Sequence, residues 1–143
     1  MPTEETRALV ANFLQEAGQT GDLATAVRHH SSPSVHLHMA NGEEGGIALA
    51  QATAQELYTA FPDATLTLEG LVVDGDRAAI QFRLSGTHSG PFRGFAPTGR
   101  PIDVPACFAV RVEGGLIVEA WYYVNLFAPL VATYAESHPD DPL

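Results

Sequence analysis

Residues 104–125, VPACFAVRVEGGLIVEAWYYVN, constrain the fold more than any other stretch of the chain. β-Branched and aromatic residues fill two runs on either side of Gly114 and Gly115, and a glycine pair between two such runs predicts a β-hairpin. Neither arm alternates between apolar and polar residues, as a strand with one solvated face would. We therefore expect both faces of this hairpin to be covered, by the core, by a pocket or by a second subunit.

Charge and composition disfavour several classes of function. The chain has 143 residues, of which 45% are hydrophobic, as in an ordinary globular protein, and we expect one domain over residues 1–143. The formal net charge is −10, and the seven Lys and Arg residues are all arginine. A surface this acidic repels phosphate groups, so we expect neither nucleic acid nor an anionic membrane as a partner.

The sequence also predicts a soluble cytoplasmic protein. The first ten residues, MPTEETRALV, lack the basic segment and the apolar run of a signal peptide. No apolar run approaches the roughly 18 residues that a membrane span needs. Cys107 is the only cysteine, so no internal disulfide can form, and with no basic neighbour in sequence it is interpreted as an inert buried thiol.

The order of predicted elements indicates an α+β fold. Amphipathic patterns predict helices, turn residues separate β-rich runs, and most strands follow the helices. Long strands joined by tight turns tend to curl around helices that cover one face, so we expect a curved, mixed, mostly antiparallel sheet wrapped around the N-terminal helices, forming a cone with an internal pocket. The predicted helices are 3–17, 23–30 and 47–61, and the predicted strands are 35–39, 65–73, 77–87 and the two hairpin arms.

Several local details follow from the same patterns. Thr3 is predicted to cap the first helix, and Gly18 to end it. Helix 47–61 is expected to bury Ala48, Leu49, Ala52, Leu57 and Phe61. A short helix is predicted at residues 126–135, and residues 137–143 are expected to form a mobile tail.

Three segments carry a family resemblance. They are FPD at residues 61–63, VVDGDRAAIQFRLSGTHSGPFRGFAPTGRPI at residues 72–102, and VRVEGGLIVEAW at residues 110–121. Their order and spacing resemble the SnoaL-like polyketide cyclases of the NTF2-like superfamily, in which similar FPD, GTHTG, PTG and I-V-E-x-W patterns are expected. The resemblance implies a cone-shaped fold, whereas function varies widely on that fold.

Departures from the family pattern direct attention to Tyr122. The family places a catalytic aspartate directly after the tryptophan of the last strand, and Tyr122 stands there in this chain, with Ala120 where histidine is common. The resemblance implies a pocket with an apolar wall, for which six residues are candidates: Phe82, Leu84, Ala106, Phe108, Ala120 and Val124. We interpret Tyr122 either as a hydrogen-bond donor to a substrate carbonyl or as an aromatic core residue.

Three histidines are the other candidate catalytic residues. His36 and His38 share one face of their strand, where they could act as acid and base or bind a metal, where at least one could line the pocket, or where they could be solvated or hydrogen-bonded. A metal would need a third ligand, and no H-x-x-E or cysteine pattern supplies one, so we predict neither a metal nor a cofactor. His88 ends a strand in the sequence GTHSG, where it could act in catalysis or bind the following loop.

The remaining polar residues receive mainly structural interpretations. Asp103 is expected to lie in solvent, and Glu119 to be exposed or paired with an arginine. Gln81 and Arg83 are expected to form a surface ladder, although their strand face could meet the pocket. The pair at residues 29–30, both histidine, is interpreted as positive charge at a helix C-terminus. Trp121 and Tyr123 should point away from Tyr122 and pack on a helix or a second subunit.

Our leading hypothesis is a polyketide-tailoring cyclase. Its apolar pocket would hold a hydrophobic polyene or enone in a reactive conformation and promote ring closure, for which a [4+2] cycloaddition fits because it needs no proton transfer. The alternatives are an epoxide hydrolase or aldol-type cyclase on the same fold, and a non-catalytic binding or oligomerisation module. We expect a small hydrophobic substrate and a homodimer formed through the exposed sheet face.

Overall fold

The computed structural model of the protein describes residues 2–20, 23–126 and 140. Three helices and six strands follow one another along the chain. In order they are α1 Pro2–Thr20, α2 Leu23–His30, β1 Ser31–Met39, β2 Glu44–Gly45, α3 Ile47–Ala60, β3 Thr65–Asp74, β4 Arg77–Thr87, β5 Pro101–Glu113 and β6 Leu116–Val124. None of the described helices combines the length and the apolar character needed to cross a bilayer.

The six strands form one sheet in the order β2-β1-β6-β5-β4-β3. Strands β1 and β6 pair in parallel, and every other neighbouring pair is antiparallel. The hairpin predicted from the sequence forms the β5–β6 pair, with Gly114 and Gly115 in its turn at φ values of 59° and 77°. The three helices pack against one face of the sheet, so the predicted α+β class with a curved, mixed, mostly antiparallel sheet is confirmed.

Two β-bulges interrupt the alternation of β3 and β6. The pairing of β3 with β4 skips Glu69, and the pairing of β6 with β5 skips Val118. Each extra residue reverses the alternation, so that Leu66 and Leu71 both point to the helix side although their numbers differ by five. A bulge also increases local twist, which helps a sheet to curl around its helices.

The helices follow the predicted pattern with three corrections. In α1, Val10, Phe13 and Ala17 are buried, but the helix continues past its predicted end at Gly18 to Thr20. The Thr3 hydroxyl does not act as a cap, since it accepts a hydrogen bond from the Gly75 amide at 2.9 Å. This contact and its neighbour from Thr6 to the Gly75 carbonyl, at 2.8 Å, fasten the start of α1 to the β3–β4 turn.

In α3 the buried face is rotated from the predicted one. Leu57 and Phe61 are buried as expected, whereas Ala48 and Ala52 are exposed. Ala54 and Ala60 take their place against the sheet. Alanine contributes little to a hydrophobic pattern, so the sequence alone did not distinguish the two sides of an alanine-rich helix.

Strand β1 is longer than predicted, and β2 was not predicted. β1 begins at Ser31 and passes through Pro33, where its pairing with β6 is irregular. Proline has no amide hydrogen to donate to a neighbouring strand, so within a strand it is tolerated at irregularities of this kind. β2 consists of Glu44 and Gly45, and it pairs with Leu37 and His38.

Residues 88–100 cross the end of the sheet and are held against the end of α3. Both Ser89 and Gly90 donate backbone hydrogen bonds to the Ala60 carbonyl, at 3.0 and 3.1 Å. A tight turn follows, in which Phe92 and Phe95 exchange two backbone hydrogen bonds. The predicted helix at residues 126–135 and the tail at 137–143 lie outside the described residues, apart from residues 126 and 140.

Candidate active site

An apolar cavity lies between the helices and the inner face of the sheet, which is the face that the helices cover. Its volume is about 70 Å³, and among its described lining residues only Ser31, Thr53 and Tyr122 carry a side-chain hydroxyl. The other described lining residues are Phe13, Leu14, Leu23, Val27, Val35, Leu37, Ala50, Ala54, Leu57, Leu66, Ile80, Phe82, Phe108, Ile117 and Ala120. A cavity of this composition favours a hydrophobic ligand over a charged one.

A wider opening of about 610 Å³ adjoins this cavity. Thr53, Leu57 and Tyr122 line both spaces, so these three residues mark where the inner cavity meets the opening. The other described residues around the opening are Met39, Ala40, Asn41, Glu56, Phe92, Arg93, Phe95, Val124, Asn125 and Leu126. Since a single water needs roughly 10–15 Å³ of such space, the inner cavity takes only a few small groups, and a longer ligand would extend into the opening.

Tyr122 stands on β6 at the junction of the two spaces. Its ring packs edge-on against Phe108, with centroids 6.0 Å apart. Burial raises the pKa of Tyr122 to about 12, and the charge that Tyr58 would carry adds to the rise. Within the described part of the chain, no group hydrogen-bonds to the Tyr122 hydroxyl. This phenol therefore stays protonated at neutral pH, where it can donate a hydrogen bond but cannot act as a base.

The candidate pocket residues divide into two groups. Phe82, Phe108 and Ala120 line the inner cavity, and Val124 lines the opening. Leu84 and Ala106 point to the same side of the sheet but are packed in the hydrophobic core, outside the described lining of both spaces. For Leu84 and Ala106 the expectation of a pocket position is corrected: both are packed in the core, although Ala106 pairs with Phe82 and Val124, which line the two spaces.

His36 and His38 do not face the cavity. The register of β1 places Leu37 opposite Ala120 on the inner face, and alternation then directs both histidines to the outer face. His38 stacks on Trp121 there, with ring centroids 5.1 Å apart and planes 7° apart. The interpretation of His36 and His38 as pocket residues is therefore corrected, because a ligand in the cavity lies on the other side of the sheet.

His88 is fully buried but lines neither space. Its Nδ1 atom lies 3.3 Å from the Thr98 hydroxyl, and its Nε2 atom has no hydrogen-bond partner among the described residues. Burial lowers the pKa of His88, and the nearby Gly90 backbone offsets this only in part. The position favours the structural interpretation, in which a neutral His88 packs on Phe61 and holds the following loop.

Two charged residues at the opening were not singled out from the sequence. Arg93 Nε lies 2.6 Å from Glu56 Oε1, which joins the turn between Phe92 and Phe95 to α3. Glu56 and the nearby Glu43 raise the pKa of Arg93 further above its usual range, with the Glu56 hydrogen bond as the largest cause. Arg93 adopts a positive φ of 46°, and the R-G pair at this point was the available sequence signal for a tight turn.

The polar residues of β4 and β5 lie on the outer face. Arg83 Nε lies 2.8 Å from Asp103 Oδ1, and Glu69 lies 4.0 Å from the same guanidinium, so the expected surface position of Arg83 is confirmed. Glu119 is paired with an arginine as expected, with its Oε1 3.2 Å from Arg111 Nε. Cys107 is half-buried rather than buried, since it also lies on the outer face.

Comparison with known proteins identifies the family. The sequence model of the SnoaL-like polyketide cyclases matches residues 8–132. The chain belongs to the SnoaL-like polyketide cyclase family. The cone-shaped α+β fold described above is the NTF2-like fold of this family, as the resemblance implied. Family membership and structural neighbours together support a general polyketide cyclase role and a small-molecule substrate.

Several solved structures resemble this SnoaL-like chain over almost its full length. A protein from Jannaschia sp. CCS1, assigned as a SnoaL-like polyketide cyclase, superposes with a TM-score of 0.84 at 26% identity, covering 94% of each chain. AclR from Streptomyces galilaeus, assigned as a hydroxylase, superposes with a TM-score of 0.81 at 26% identity, covering 92% of this chain and 97% of AclR. IdmH from Streptomyces antibioticus, assigned as a polyketide cyclase, superposes with a TM-score of 0.73 at 29% identity, covering 91% of this chain and 98% of IdmH. No protein of curated function matches the sequence significantly.

Proposed function

We propose that this SnoaL-like protein is a polyketide-tailoring cyclase that closes a ring in a hydrophobic polyene or enone by holding it in a reactive conformation. The observation that carries the proposal is the chemistry of the cavity wall. The described lining of the inner cavity contains no acidic, basic or imidazole side chain, and the Tyr122 hydroxyl marks its entrance. Such a site favours ring closure without proton transfer over chemistry that needs a base.

The proposed reaction is a [4+2] cycloaddition within one substrate molecule. A diene and an alkene exchange three π bonds for one π bond and two new σ bonds, so that no atom is lost and no proton moves. The cavity contributes by excluding extended conformers of a flexible chain, which removes part of the entropic barrier. Tyr122 would donate a hydrogen bond to an enone carbonyl conjugated with the alkene, withdrawing electron density as the ring forms.

The arrangement of acids supports this proposal over the other enzymes considered. An epoxide hydrolase of the Asp-Arg-Asp type needs its acids and arginine at the cavity, whereas the Asp103–Arg83–Glu69 group lies on the outer face. An aldol-type cyclase needs a base beside the substrate. The acid at the described opening is Glu56, and its carboxylate is engaged by Arg93.

Paired variants test the proposal. The assay follows a synthetic linear polyene that carries a conjugated enone, and it detects a cyclic product of unchanged mass by liquid chromatography and mass spectrometry. Tyr122→Phe should lower kcat by about 10- to 1,000-fold, since it removes one donor to the carbonyl. Tyr123→Phe, on the outer face, is the matched control and should retain the rate.

A second pair tests the cavity itself. Ala50 lines the inner cavity and Ala52 is exposed on the same helix, so Ala50→Phe should abolish cyclisation while Ala52→Phe should not. If all four variants cyclise the substrate as the wild type does, the cavity is not the active site. Incorporation of labelled oxygen from water would point to a hydrolase instead, and ligand binding without turnover would point to a binding module.

A further inference from the structure

Three potential metal ligands converge on the outer face where β1 meets β2. His36 and His38 point to this face from β1, and Glu44 lies opposite His38 in the β1–β2 register. Glu44 Oε1 is 3.0 Å from His36 Nε2 and 2.9 Å from His38 Nδ1. One ligand atom from each of the three residues lies within 4.8 Å of the others. The third ligand that the sequence pattern lacked is therefore supplied by a strand that the sequence did not predict.

Each ring nitrogen of His38 lies close to a carboxylate oxygen. Its Nε2 atom lies 2.7 Å from Glu119 Oε2, while its Nδ1 atom lies 2.9 Å from Glu44 Oε1. A neutral imidazole has one N–H, so one nitrogen must then direct a lone pair at a carboxylate oxygen. Two acceptors this close repel each other unless a second proton or a metal ion lies between them. The partner Glu119 is held by Arg111, which favours the N–H of His38 on that side.

The geometry fits a tetrahedral zinc site with small adjustments. Two ligand atoms about 2.0 Å from a tetrahedral zinc ion lie about 3.3 Å apart, so the two separations that involve Glu44 Oε1 need to open by only a few tenths of an ångström. The ligand atoms of His36 and His38 lie within 4.8 Å of each other. The Glu119–His38 hydrogen bond is the kind of carboxylate contact that orients a metal-binding imidazole. Stacking on Trp121 and an edge contact with His36, at a centroid distance of 4.5 Å, further restrict the His38 ring.

We propose that His36 Nε2, His38 Nδ1 and the Glu44 carboxylate form a binding site for Zn²⁺ or a similar divalent transition-metal ion. Water fills the remaining position, since His36 and Glu44 are each about half exposed. The site lies on the face opposite the cavity, so its ion takes no part in ring closure. Its role is structural, because it ties the two-residue edge strand β2 to β1 and thereby fixes the chain that leads into α3.

The chain contains a natural comparison for this cluster. Glu16 is also contacted by two histidines, but His29 and His30 each approach a different oxygen of its carboxylate. Within the described residues, only the cluster at His36, His38 and Glu44 brings three ligand atoms together. Glu16→Gln therefore removes a carboxylate from a pair of histidines without touching the proposed site, and it is the matched control for Glu44→Gln.

The test uses the full chain without an affinity tag, freed of metal with EDTA and then titrated with ZnCl₂ by calorimetry. One equivalent of Zn²⁺ should bind to the wild type and to Glu16→Gln. Glu44→Gln and His36→Ala should weaken binding at least about tenfold, and Glu119→Gln, which removes no ligand, should weaken it about 10- to 100-fold. Co²⁺ should give the intense visible absorption of a four-coordinate ion in the wild type and lose it in Glu44→Gln.

Two further measurements keep the result decisive. Circular dichroism in EDTA verifies that each variant is folded before its affinity is compared. Nitrogen-15 spectra of the imidazoles should place the His38 proton on Nε2 and show that Zn²⁺ shifts Nδ1. The proposal is overturned if the wild type binds no Zn²⁺, or if Glu44→Gln and His36→Ala bind it as tightly as the wild type does. His38 protonated on both nitrogens would then account for the two carboxylate contacts.

Discussion

Tyr122 and His88 illustrate how burial changes a side chain's chemistry in opposite settings. Burial raises the pKa of Tyr122 to about 12 and keeps a proton on it. Burial lowers the pKa of His88 and keeps a proton off it. In both cases the neutral form is favoured, because a charge loses its hydration inside the protein. Tyr122 borders a cavity and can use its proton, whereas His88 borders only protein atoms.

His88 gives a prediction about pH. Its folded-state pKa lies below the ordinary value of 6.5, so the unfolded chain takes up a proton that the folded chain resists as the pH falls below that value. Stability is therefore lost as the pH falls from neutral through about 6.5 and below. His88→Gln removes this loss. As the pH falls, the free energy of unfolding should therefore decrease more steeply for the wild type than for His88→Gln, and the two slopes should differ by at most about 1.4 kcal/mol per pH unit.

Urea unfolding measured at intervals across this pH range tests the prediction. The other histidines are present in both proteins, so the difference in slope isolates His88. His29→Gln, which removes a histidine that is 53% exposed, serves as the control and should not flatten the curve in the same way. Equal slopes for the wild type and His88→Gln would contradict the prediction. Carboxylates such as Asp63 have lowered pKa values and lose their contribution at more acidic pH.

Among the elements, the loop at residues 88–100 depends most on a close backbone contact. Gly90 is buried against the last turn of α3, and a Cβ atom built on it would overlap the Thr59 carbonyl oxygen. The contact positions Phe92 and Arg93 at the opening of the cavity. The loop therefore links the packing of α3 to the shape of the proposed entrance.

Gly90→Ala should destabilise the protein and disturb the opening. Because neither the added methyl group nor the helix backbone can move aside cheaply, we expect a loss of about 1–3 kcal/mol in the free energy of unfolding. Thermal unfolding measures the loss, and ring closure by the same variant should slow as the opening is displaced. The neighbouring substitution Ser89→Ala, at an exposed position, should leave both properties nearly unchanged. Wild-type stability of Gly90→Ala would show that the loop is free to shift.

At the scale of the whole molecule, apolar residues remain exposed on the outer face. Tyr123 on β6 and Val72 on β3 are 48% and 65% exposed, and the register places both on the side away from the helices. Leu68 is also exposed, at 50%, but it pairs with Phe82 and lies on the inner side at the sheet edge. Exposed aromatic and aliphatic side chains on one face are what a second subunit would cover.

We expect a homodimer formed through this outer face. Light scattering after size exclusion should give twice the chain mass for the wild type, and combining Tyr123→Glu with Val72→Glu should give the monomer. Leu68→Glu is the control, because it introduces the same charge at an exposed position on the inner side of the sheet. This variant should remain a dimer. Each copy carries a net charge of −10, so added salt should strengthen the dimer by screening repulsion. A monomeric wild type at high salt would contradict the expectation.

Local patterns in the sequence were sufficient for much of the fold. The glycine pair and the two β-rich arms predicted the β5–β6 hairpin, and Phe82, a pocket candidate, lines the inner cavity. Alternation along β6 also places Tyr122 on the face of the sheet opposite to that of Trp121 and Tyr123. These features depend on neighbouring residues along one strand, and so they can be read without knowing what the strand pairs with.

The positions of the polar residues depended on pairing between distant segments. Alternation showed that His36 and His38 share a face, but only the parallel register of β1 with β6 decided that this face is the outer one. Likewise, Glu44 reaches both histidines only because β2 forms, and Arg93 reaches Glu56 only because the loop folds onto α3. The sequence by itself thus determined which residues of a strand share a face, and it predicted an apolar pocket wall with Tyr122 only through the family resemblance. Tertiary structure decided which charged groups stand near that wall, because register and loop docking are set by contacts between residues far apart in the chain.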